Sequence, residues 1–309
     1  MSADELTVFV LSTGEETLED CLRSLERQTC RFRLERITDE CPMSRAFQAM
    51  PQRCATRYFV QVDADMLLDP DAVERLYAGI RRAGRFTVMV SGQLEEEGFG
   101  PGGAVKCWKR DLFRLARFRD VRAVDRDLFR RIRWLGLHPR PLPGLFGIHR
   151  PRHSACSAYV KAKGDVEKWR YLRRPARTYA LPLLDMLLIQ YPESRHRLLG
   201  MLQGALATGE RLRRSKDLQR ERAGYAQVIA RLGWQTEAPL PPLSVQDGEA
   251  LRRLFAASYR AAASRETSDQ QDLAALIEVL FATTPQPHRE HATEPQRRPI
   301  TNDQVPITT

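Results

Sequence analysis

The chain has 309 residues, 42% of them hydrophobic and 28% charged, which is enough for one large or two modest globular domains. Its formal net charge of +10 favours an anionic partner: a phosphorylated substrate, a membrane face or nucleic acid. We expect no secretory signal and no membrane span. The six cysteines lack C-x-x-C spacing, which indicates neither a zinc site nor a redox motif and favours a reducing, cytoplasmic location.

Strand and helix signals alternate through the first part of the chain. Short apolar runs rich in β-branched and aromatic residues predict strands at residues 7–11, 32–37, 58–62 and 86–91. Apolar residues at helical spacing predict helices over residues 15–28, 43–57 and 71–83. This alternation is typical of a parallel sheet with crossover helices.

The next segment is less regular. A stretch rich in Gly and Glu at 93–103 predicts a loop, and the prolines and glycines of 137–151 predict irregular structure. Between them we expect a strand at 104–108 and helices over 110–117 and 123–136, with Trp108 and Trp134 in the core.

Strand signals disappear after about residue 154. Helical patterns cover residues 157–171, 181–190, 194–215, 218–232 and, with a break, 247–281. We therefore predict four parts: an α/β domain at 1–155, a helical region at 156–236, a linker with helices at 237–283, and a disordered tail at 284–309.

The run Tyr58–Asp63 ends in a pair of carboxylates, Asp63 and Asp65, at the end of a strand expected to be buried on both faces. Open α/β sheets bind ligands at this edge, and such a pair suits a divalent cation that carries phosphate oxygens. The alternative is that both residues simply begin a loop, with Asp69 capping the next helix.

The order of several polar residues resembles the GT-A fold glycosyltransferases, in particular glycosyltransferase family 2. Asp63-Ala64-Asp65 matches the family's D-x-D motif, and Asp39 follows the second strand where the family has an aspartate. The later acidic motif matches Asp125 to Leu128 with Arg131, although Val124 replaces its glutamate, and a downstream histidine matches His149. The resemblance covers about residues 6–155 and implies a Rossmann-like mixed sheet with helices on both faces, followed by an α-helical C-terminal region.

The resemblance also implies roles for these residues. Asp65 and His149 are expected to bind Mn²⁺ or Mg²⁺, and Asp63, with Ser12 and Asp39, to contact the nucleoside. Asp125 is expected to be the general base. The implied reaction is inverting transfer of a sugar from a nucleoside diphosphate sugar, with a UDP-sugar as the expected donor. The expected acceptor is a glycan or a lipid-linked molecule, in the synthesis of a cell-surface glycan or glycolipid.

Each assignment has a structural alternative. Asp125 could cap the helix that begins near Arg126, Asp39 could end a strand in a turn, and His149 could be a loop histidine with His153 in its place. Asp127 is better explained by an ion pair with Arg131 at i, i+4 spacing.

Other functional classes remain open. Arg-rich helices in the C-terminal half favour either a solvated face or peripheral contact with the inner face of a membrane; the arginines are Arg195, Arg197, Arg211, Arg213 and Arg214. No DNA- or RNA-binding signature accompanies the charge, so no nucleic-acid partner is expected, although a basic non-catalytic binding protein is an alternative. A nucleotidyltransferase acting on sugar phosphates is another, but it would carry a Gly-rich basic loop after the first strand, where this chain has Gly14-Glu15-Glu16.

Overall fold

A computed structural model describes residues 5–96, 100–150, 154–172, 194–207 and 213–232. Seven strands form one mixed sheet in the order β2-β1-β3-β6-β5-β7-β4. Their bounds are β1 Leu6–Ser12, β2 Arg33–Thr38, β3 Tyr58–Asp63, β4 Met66–Leu68, β5 Thr87–Glu96, β6 Gly100–Lys109 and β7 His138–His149. β1 lies parallel to β2 and β3, whereas β6 is antiparallel to both β3 and β5.

Helices cover both faces of this sheet. They are α1 (Leu18–Glu26), α2 (Met43–Arg53), α3 (Ala72–Arg82) and α4 (Val124–Arg133), with a 3₁₀ turn at Arg110–Arg114. Alternate residues of β1 point to opposite faces, so Val8 packs in a core with α1 and α3 and Phe9 in a core with α2 and α4. The predicted class, a mixed α/β sheet with helices on both faces, is confirmed.

The loop predicted at 93–103 is wrong. Residues 93–96 and 100–103 continue β5 and β6 as antiparallel strands, in which Glu95 pairs with Pro101 and Glu96 with Gly100. Leu94 is completely buried, so packing of this side chain overrides the low strand propensity of the surrounding glycines and glutamates. The extension brings Glu96 to the edge of the sheet where β7 ends.

The irregular segment predicted at 137–151 is also wrong, because most of it forms β7. β7 pairs in parallel with β5 along its length, whereas β4 pairs only with its last three residues, Gly147–His149. The first half of β7 is therefore an edge of the sheet. Pro139, Pro141 and Pro143 lack an amide hydrogen, and an edge strand tolerates this because one of its sides has no neighbouring strand to bond. Register shifts along the β5–β7 pair accommodate the remaining irregularity.

The two tryptophans have different environments. Trp108 is fully buried and stacks on Phe129, as expected for a core residue. Trp134 is 89% exposed, so its predicted core position is wrong; it follows the last residue of α4, beyond the face of that helix that packs on the sheet.

Three helices of the C-terminal half are described: α5 (Ala155–Tyr171), α6 (Ser194–Leu206) and α7 (Leu218–Leu232). The helix predicted over 194–215 ends at Leu206, and residues 213–217 form a loop before α7. The helices predicted at 181–190 and 247–281 and the predicted tail at 284–309 lie outside the described residues. Within the described ranges, no helix has the length and apolar character needed to cross a membrane.

Candidate active site

The carboxyl end of β3 brings together two residues from distant parts of the chain. Asp63 ends β3, and after a tight turn through Asp65 the chain forms β4, in which Met66 pairs with His149 of β7. The Arg150 amide donates to the Asp65 carbonyl at 2.8 Å, and His149 Nε2 lies 3.1 Å from Asp65 Oδ2. The structure therefore places side by side the two residues that the sequence analysis named as metal ligands.

A second carboxylate, that of Glu96, lies on the other side of the imidazole. Glu96 Oε2 is 3.9 Å from His149 Nδ1, a distance that allows an ion pair rather than a hydrogen bond. Lys161 of α5 lies 3.3 Å from Glu96 Oε1, so the β5–β6 hairpin and α5 both support this cluster. Glu96 was missed from the sequence because it falls in the segment predicted to be a loop.

The charges in this cluster shift one another's titration. Burial lowers the pKa of His149, but the carboxylates of Asp65 and Glu96 outweigh that effect and raise it to about 9. Burial raises the pKa of Asp65, but its hydrogen bond with His149 holds the pKa below its ordinary value. Asp63 differs: burial and the neighbouring charge of Asp65 raise its pKa to about 6.

The donor atoms of Asp65 and His149 fit a divalent cation with two protein ligands. Asp65 Oδ1 is buried without a hydrogen-bond partner, His149 Nε2 lies beside the same carboxylate, and a carboxylate with an imidazole suits Mn²⁺ or Mg²⁺. Neither at this site nor elsewhere in the described ranges do three or more His, Cys, Asp or Glu side chains form a group that could hold a metal ion. A cation bound here would depend on substrate phosphates and water for its remaining ligands.

Asp125, the predicted base, lies in the first turn of α4 and pairs with Lys106 of β6. Lys106 Nζ is 2.9 Å from Asp125 Oδ2. Burial raises the pKa of Asp125, but the Lys106 ammonium overcomes this and holds it well below its usual range. Asp125 Oδ1 also accepts a hydrogen bond from the Arg126 amide at 2.9 Å. The helix begins at Val124 with Ala123 as its N-cap residue, so the alternative that Asp125 caps this helix is wrong.

The charge of Lys106 also acts on Asp63. It opposes part of the rise in the pKa of Asp63 that burial and Asp65 cause. The pKa of Lys106 itself is raised, since Asp125 and Asp63 more than offset the effect of burial. Sequence analysis did not single out Lys106, although a lone lysine within the apolar strand Ala104 to Trp108 was a readable signal.

The two residues predicted to contact the nucleoside differ in accessibility. Ser12, at the end of β1, is buried; its hydroxyl donates to Glu15 Oε2 at 2.8 Å. Asp39 is exposed, adopts a left-handed conformation with φ of 55°, and its amide donates to the Ser12 carbonyl at 2.9 Å. Its neighbours Glu40 and Cys41, rather than Asp39, line the adjacent cavity.

That cavity, the apolar cavity, has a volume of about 200 Å³. Its apolar wall comes from the ends of β1 and β2 and from α2, and consists of Leu11, Ile37, Met43, Ala46 and Phe47. Asp63 and Asp65 stand at its polar side. An apolar slot with a few polar groups is the usual character of a small-molecule site.

A second cavity of about 250 Å³, the polar cavity, lies on the other side of Asp65. Its wall combines the loop after β1 with α5 and α7, and includes Thr17, Ser154, Ser157, Lys161 and Arg222. The two cavities share Thr13, Glu15, Asp65, Lys216 and Leu218. Lys216, in the loop before α7, was not predicted because the sequence placed this region next to a helix of unknown role.

The chain matches no protein-family model, and no curated protein matches it by sequence. Solved structures similar to it include a mannosyltransferase from Pyrobaculum calidifontis in complex with GDP-Man and Mn²⁺, with a TM-score of 0.44, 16% identity, and coverage of 89% of this chain and 87% of that one. S. aureus TarS (residues 1–349) has a TM-score of 0.40 and 12% identity over 87% of this chain and 92% of its own.

A 4-diphosphocytidyl-2C-methyl-D-erythritol synthase from Anaerococcus prevotii is similar over 46% of this chain and 90% of its own, with a TM-score of 0.33 and 8% identity. At these TM-scores and identities, the similarity assigns neither a substrate nor an activity to this chain.

Proposed function

We propose that this chain is a metal-dependent glycosyltransferase that moves a sugar from a nucleoside diphosphate sugar to a hydroxyl acceptor. The observation that carries the proposal is the contact between Asp65 and His149, 3.1 Å apart at the carboxyl end of β3. It is supported by the apolar cavity beside them, whose dimensions and apolar wall suit a nucleobase. Ser12 and Asp63 line that cavity and are proposed nucleoside contacts; Asp39, the third, is the chain neighbour of the lining residue Glu40.

The reaction requires one bond to form and one to break. The acceptor oxygen bonds to the anomeric carbon, the bond from that carbon to the diphosphate oxygen breaks, and the electron pair leaves on the diphosphate. The hydroxyl proton passes to a carboxylate, for which Asp125 is the proposed acceptor. Asp125 is ionised near neutral pH, and the Lys106 ion pair that holds its pKa low also lowers its strength as a base, so proton transfer requires this pair to weaken when the acceptor binds. A single displacement of this kind inverts the anomeric centre.

Asp65 Oδ1 and His149 are the proposed ligands of Mn²⁺ or Mg²⁺, which would neutralise charge developing on the leaving diphosphate. Because the metal-free His149 has a raised pKa of about 9, the imidazole must release a proton before it can bind a cation. Glu96 then orients the ring through Nδ1, and Lys161 keeps the Glu96 carboxylate in place.

The test is a thermal-shift panel of UDP-, GDP- and dTDP-sugars, with and without Mn²⁺. We expect one donor to raise the melting temperature only when Mn²⁺ is present, and we expect Asp65→Ala to lose that increase. Glu95→Gln is the matched control, because Glu95 is exposed and adjacent to the cluster without joining it. Stabilisation that is the same without metal, or that survives in Asp65→Ala, would contradict the proposal.

Adding nucleoside triphosphates and sugar phosphates to the panel tests the nucleotidyltransferase alternative. That class would respond to a nucleoside triphosphate with a sugar phosphate and release inorganic diphosphate. The loop after β1 argues against it, because Glu15 rather than a cation occupies the turn and accepts hydrogen bonds from Ser12 and Thr13.

The acceptor is proposed to be a glycan or a lipid-linked glycan, with the protein in the cytoplasm at the inner face of the membrane. Arg213 and Arg214 are exposed, and basic side chains attract acidic headgroups by roughly 1 kcal/mol each near a surface. Binding to vesicles containing anionic lipid, measured by sedimentation, should weaken in the Arg213→Gln/Arg214→Gln variant. Equal binding by the variant would remove this part of the proposal.

A further inference from the structure

Lys216 stands at the junction of the two cavities. It lines both the apolar cavity and the polar cavity, and both also include Asp65. A group that extends from one cavity into the other would therefore come close to both this lysine and this carboxylate. In the polar cavity two further cations, Lys161 and Arg222, are part of the wall.

The backbone around Lys216 is held in place by the α/β part of the chain. The Lys216 carbonyl accepts a hydrogen bond from the Met43 amide at 2.8 Å. Its neighbour Ser215 donates to Asp120 Oδ1 through its amide at 2.9 Å and through its hydroxyl at 2.6 Å. The Ser215 hydroxyl also lies 2.9 Å from that of Ser44, at the start of α2. These contacts hold the backbone from which the Lys216 side chain extends.

The charge of Lys216 differs from that of the other lysines near the site. Lys106 pairs with Asp125 and Lys161 pairs with Glu96. Within the described part of the chain, the Lys216 ammonium has no hydrogen bond or ion pair. Burial lowers the pKa of Lys216, and the charges of Asp165 and Glu221 offset only part of this effect. A cation withdrawn from water without a partner is costly, so an anionic ligand would be stabilised here.

We propose that Lys216 binds the diphosphate of the nucleotide donor, with the nucleoside in the apolar cavity and the sugar in the polar cavity. The inference rests on the proposed function and assigns part of the leaving-group stabilisation to a side chain from the C-terminal half. A lysine is a compact point charge suited to phosphate oxygens, and one placed at the leaving group favours departure of the electron pair. Arg222 is already held at the Thr13 carbonyl at 2.9 Å, so it supports the loop beside the same junction.

The first test measures binding at a fixed, saturating concentration of Mn²⁺. Isothermal titration compares the nucleoside, the nucleoside monophosphate and the nucleoside diphosphate in wild type, Lys216→Met and Lys216→Arg. We expect Lys216→Met to bind the diphosphate about 10- to 100-fold more weakly, with nucleoside affinity unchanged and partial recovery in Lys216→Arg. Lys109→Met is the matched control, because Lys109 donates to the Gly84 carbonyl away from both cavities. Equal loss of nucleoside and diphosphate affinity, or none, would overturn the proposal.

The second test uses cysteines already present. Cys41 lines the apolar cavity, Cys156 lines the polar cavity, and Cys30, partly exposed and in neither wall, is an internal reference. Alkylation by N-ethylmaleimide, resolved by mass spectrometry, should be slowed at Cys156 by inorganic diphosphate in wild type but not in Lys216→Met. Nucleoside should protect Cys41 in both proteins.

The bound anion could be the diphosphate of a nucleotide donor or part of an acidic acceptor, and these two ligands give different patterns of cysteine protection. Protection of both cysteines by a nucleoside diphosphate, dependent on Lys216 at Cys156 alone, supports the donor assignment. In a second outcome, inorganic diphosphate protects Cys156 in a Lys216-dependent way, but no nucleotide protects Cys41. This result would refute both the donor assignment and the proposed function. It would leave an anion site that fits an acidic acceptor. Equal protection of Cys156 in wild type and Lys216→Met would refute the anion site itself.

Discussion

His149 Nε2 lies 3.1 Å from Asp65 Oδ2, although the two residues are 84 positions apart in the sequence. The contact depends on β4, a strand of three residues that turns back from β3 and pairs with the end of β7. Pairing of β5 with β7 brings Glu96 to the second ring nitrogen, so three separate strands determine how the imidazole is oriented.

Glu96→Gln should weaken Mn²⁺ binding. The carboxylate faces His149 Nδ1, and loss of such an outer partner typically lowers metal affinity by about 10- to 100-fold. The measurement is a Mn²⁺ titration followed by electron paramagnetic resonance. Glu95→Gln, which alters the exposed neighbour, should titrate like wild type; identical curves for all three proteins would show that Glu96 does not support the metal site.

Asp125→Asn should separate turnover from binding. If Asp125 accepts the hydroxyl proton, turnover should fall by about 10²- to 10⁴-fold while donor affinity is retained. Initial rates and donor titrations on the same preparation provide the measurement. Retained turnover with intact donor binding would exclude Asp125 as the base.

Asp127 offers a structural comparison for that variant. Its side chain is 1% exposed and accepts from Arg119 Nε at 3.0 Å and from Arg131 Nε at 2.9 Å, confirming the predicted pair with Arg131. Asp127→Asn should lower the free energy of unfolding by about 1–3 kcal/mol, because it removes charged hydrogen bonds, while turnover per folded molecule stays unchanged. Urea denaturation with rate measurements checks both; a turnover loss as large as that of Asp125→Asn would contradict this division of roles.

Gly147→Ala should disrupt the contact between β4 and β7. Gly147 has a φ of 141°, and an added Cβ would lie 2.1 Å from the Leu67 carbonyl oxygen, a backbone atom that cannot rotate away. We expect a loss of more than about 2 kcal/mol of stability and weaker Mn²⁺ binding, because His149 lies two residues along the same strand.

Gly136→Ala is the matched control for that variant. Gly136 also has a positive φ, of 71°, but its added Cβ meets nothing within 4 Å. Its cost should be the conformational penalty alone, about 1 kcal/mol, with metal binding unchanged. Similar stability losses in the two alanine variants, by chemical denaturation, would show that the close approach at Leu67 is relieved at little cost.

His196 should titrate far below an ordinary histidine. Burial lowers its pKa to about 4, and its Nδ1 lies 3.1 Å from the Tyr225 hydroxyl. Because the unfolded chain has a histidine pKa near 6.5, the unfolded state takes up the proton first as pH falls. The stabilising contribution of neutral His196 is therefore complete above about pH 6.5 and is lost progressively down to about pH 4.

The measurement is a proton NMR titration of the imidazole, assigned by comparison with His196→Gln. The variant should also show a flatter dependence of urea midpoint on pH between 6.5 and 4. A His196 midpoint near 6.5 would show that the ring is open to solvent.

Sequence patterns located the strongly periodic elements and the polar residues at strand ends. The first three strands and α1 to α3 follow from apolar spacing, and Asp63, Asp65 and His149 follow from residue order. β7 was not recognisable because its prolines are tolerated only where a strand is an edge, which is a property of the assembled sheet. Glu96 was missed with the hairpin that carries it, and Lys216 because its position depends on the long-range contacts of Ser215 with Asp120 and Ser44.

The hydrogen bond between Ser215 and Ser44 joins residues 171 positions apart. A shortened protein that stops near residue 155 would keep the sheet strands and the Asp65–His149 contact, yet it would have neither Lys216 nor the α5 and α7 walls of the polar cavity. Exchange of the C-terminal half between homologous proteins would thus alter the ligand-binding surface along with the helices, and the two halves have to be inherited and engineered as one unit.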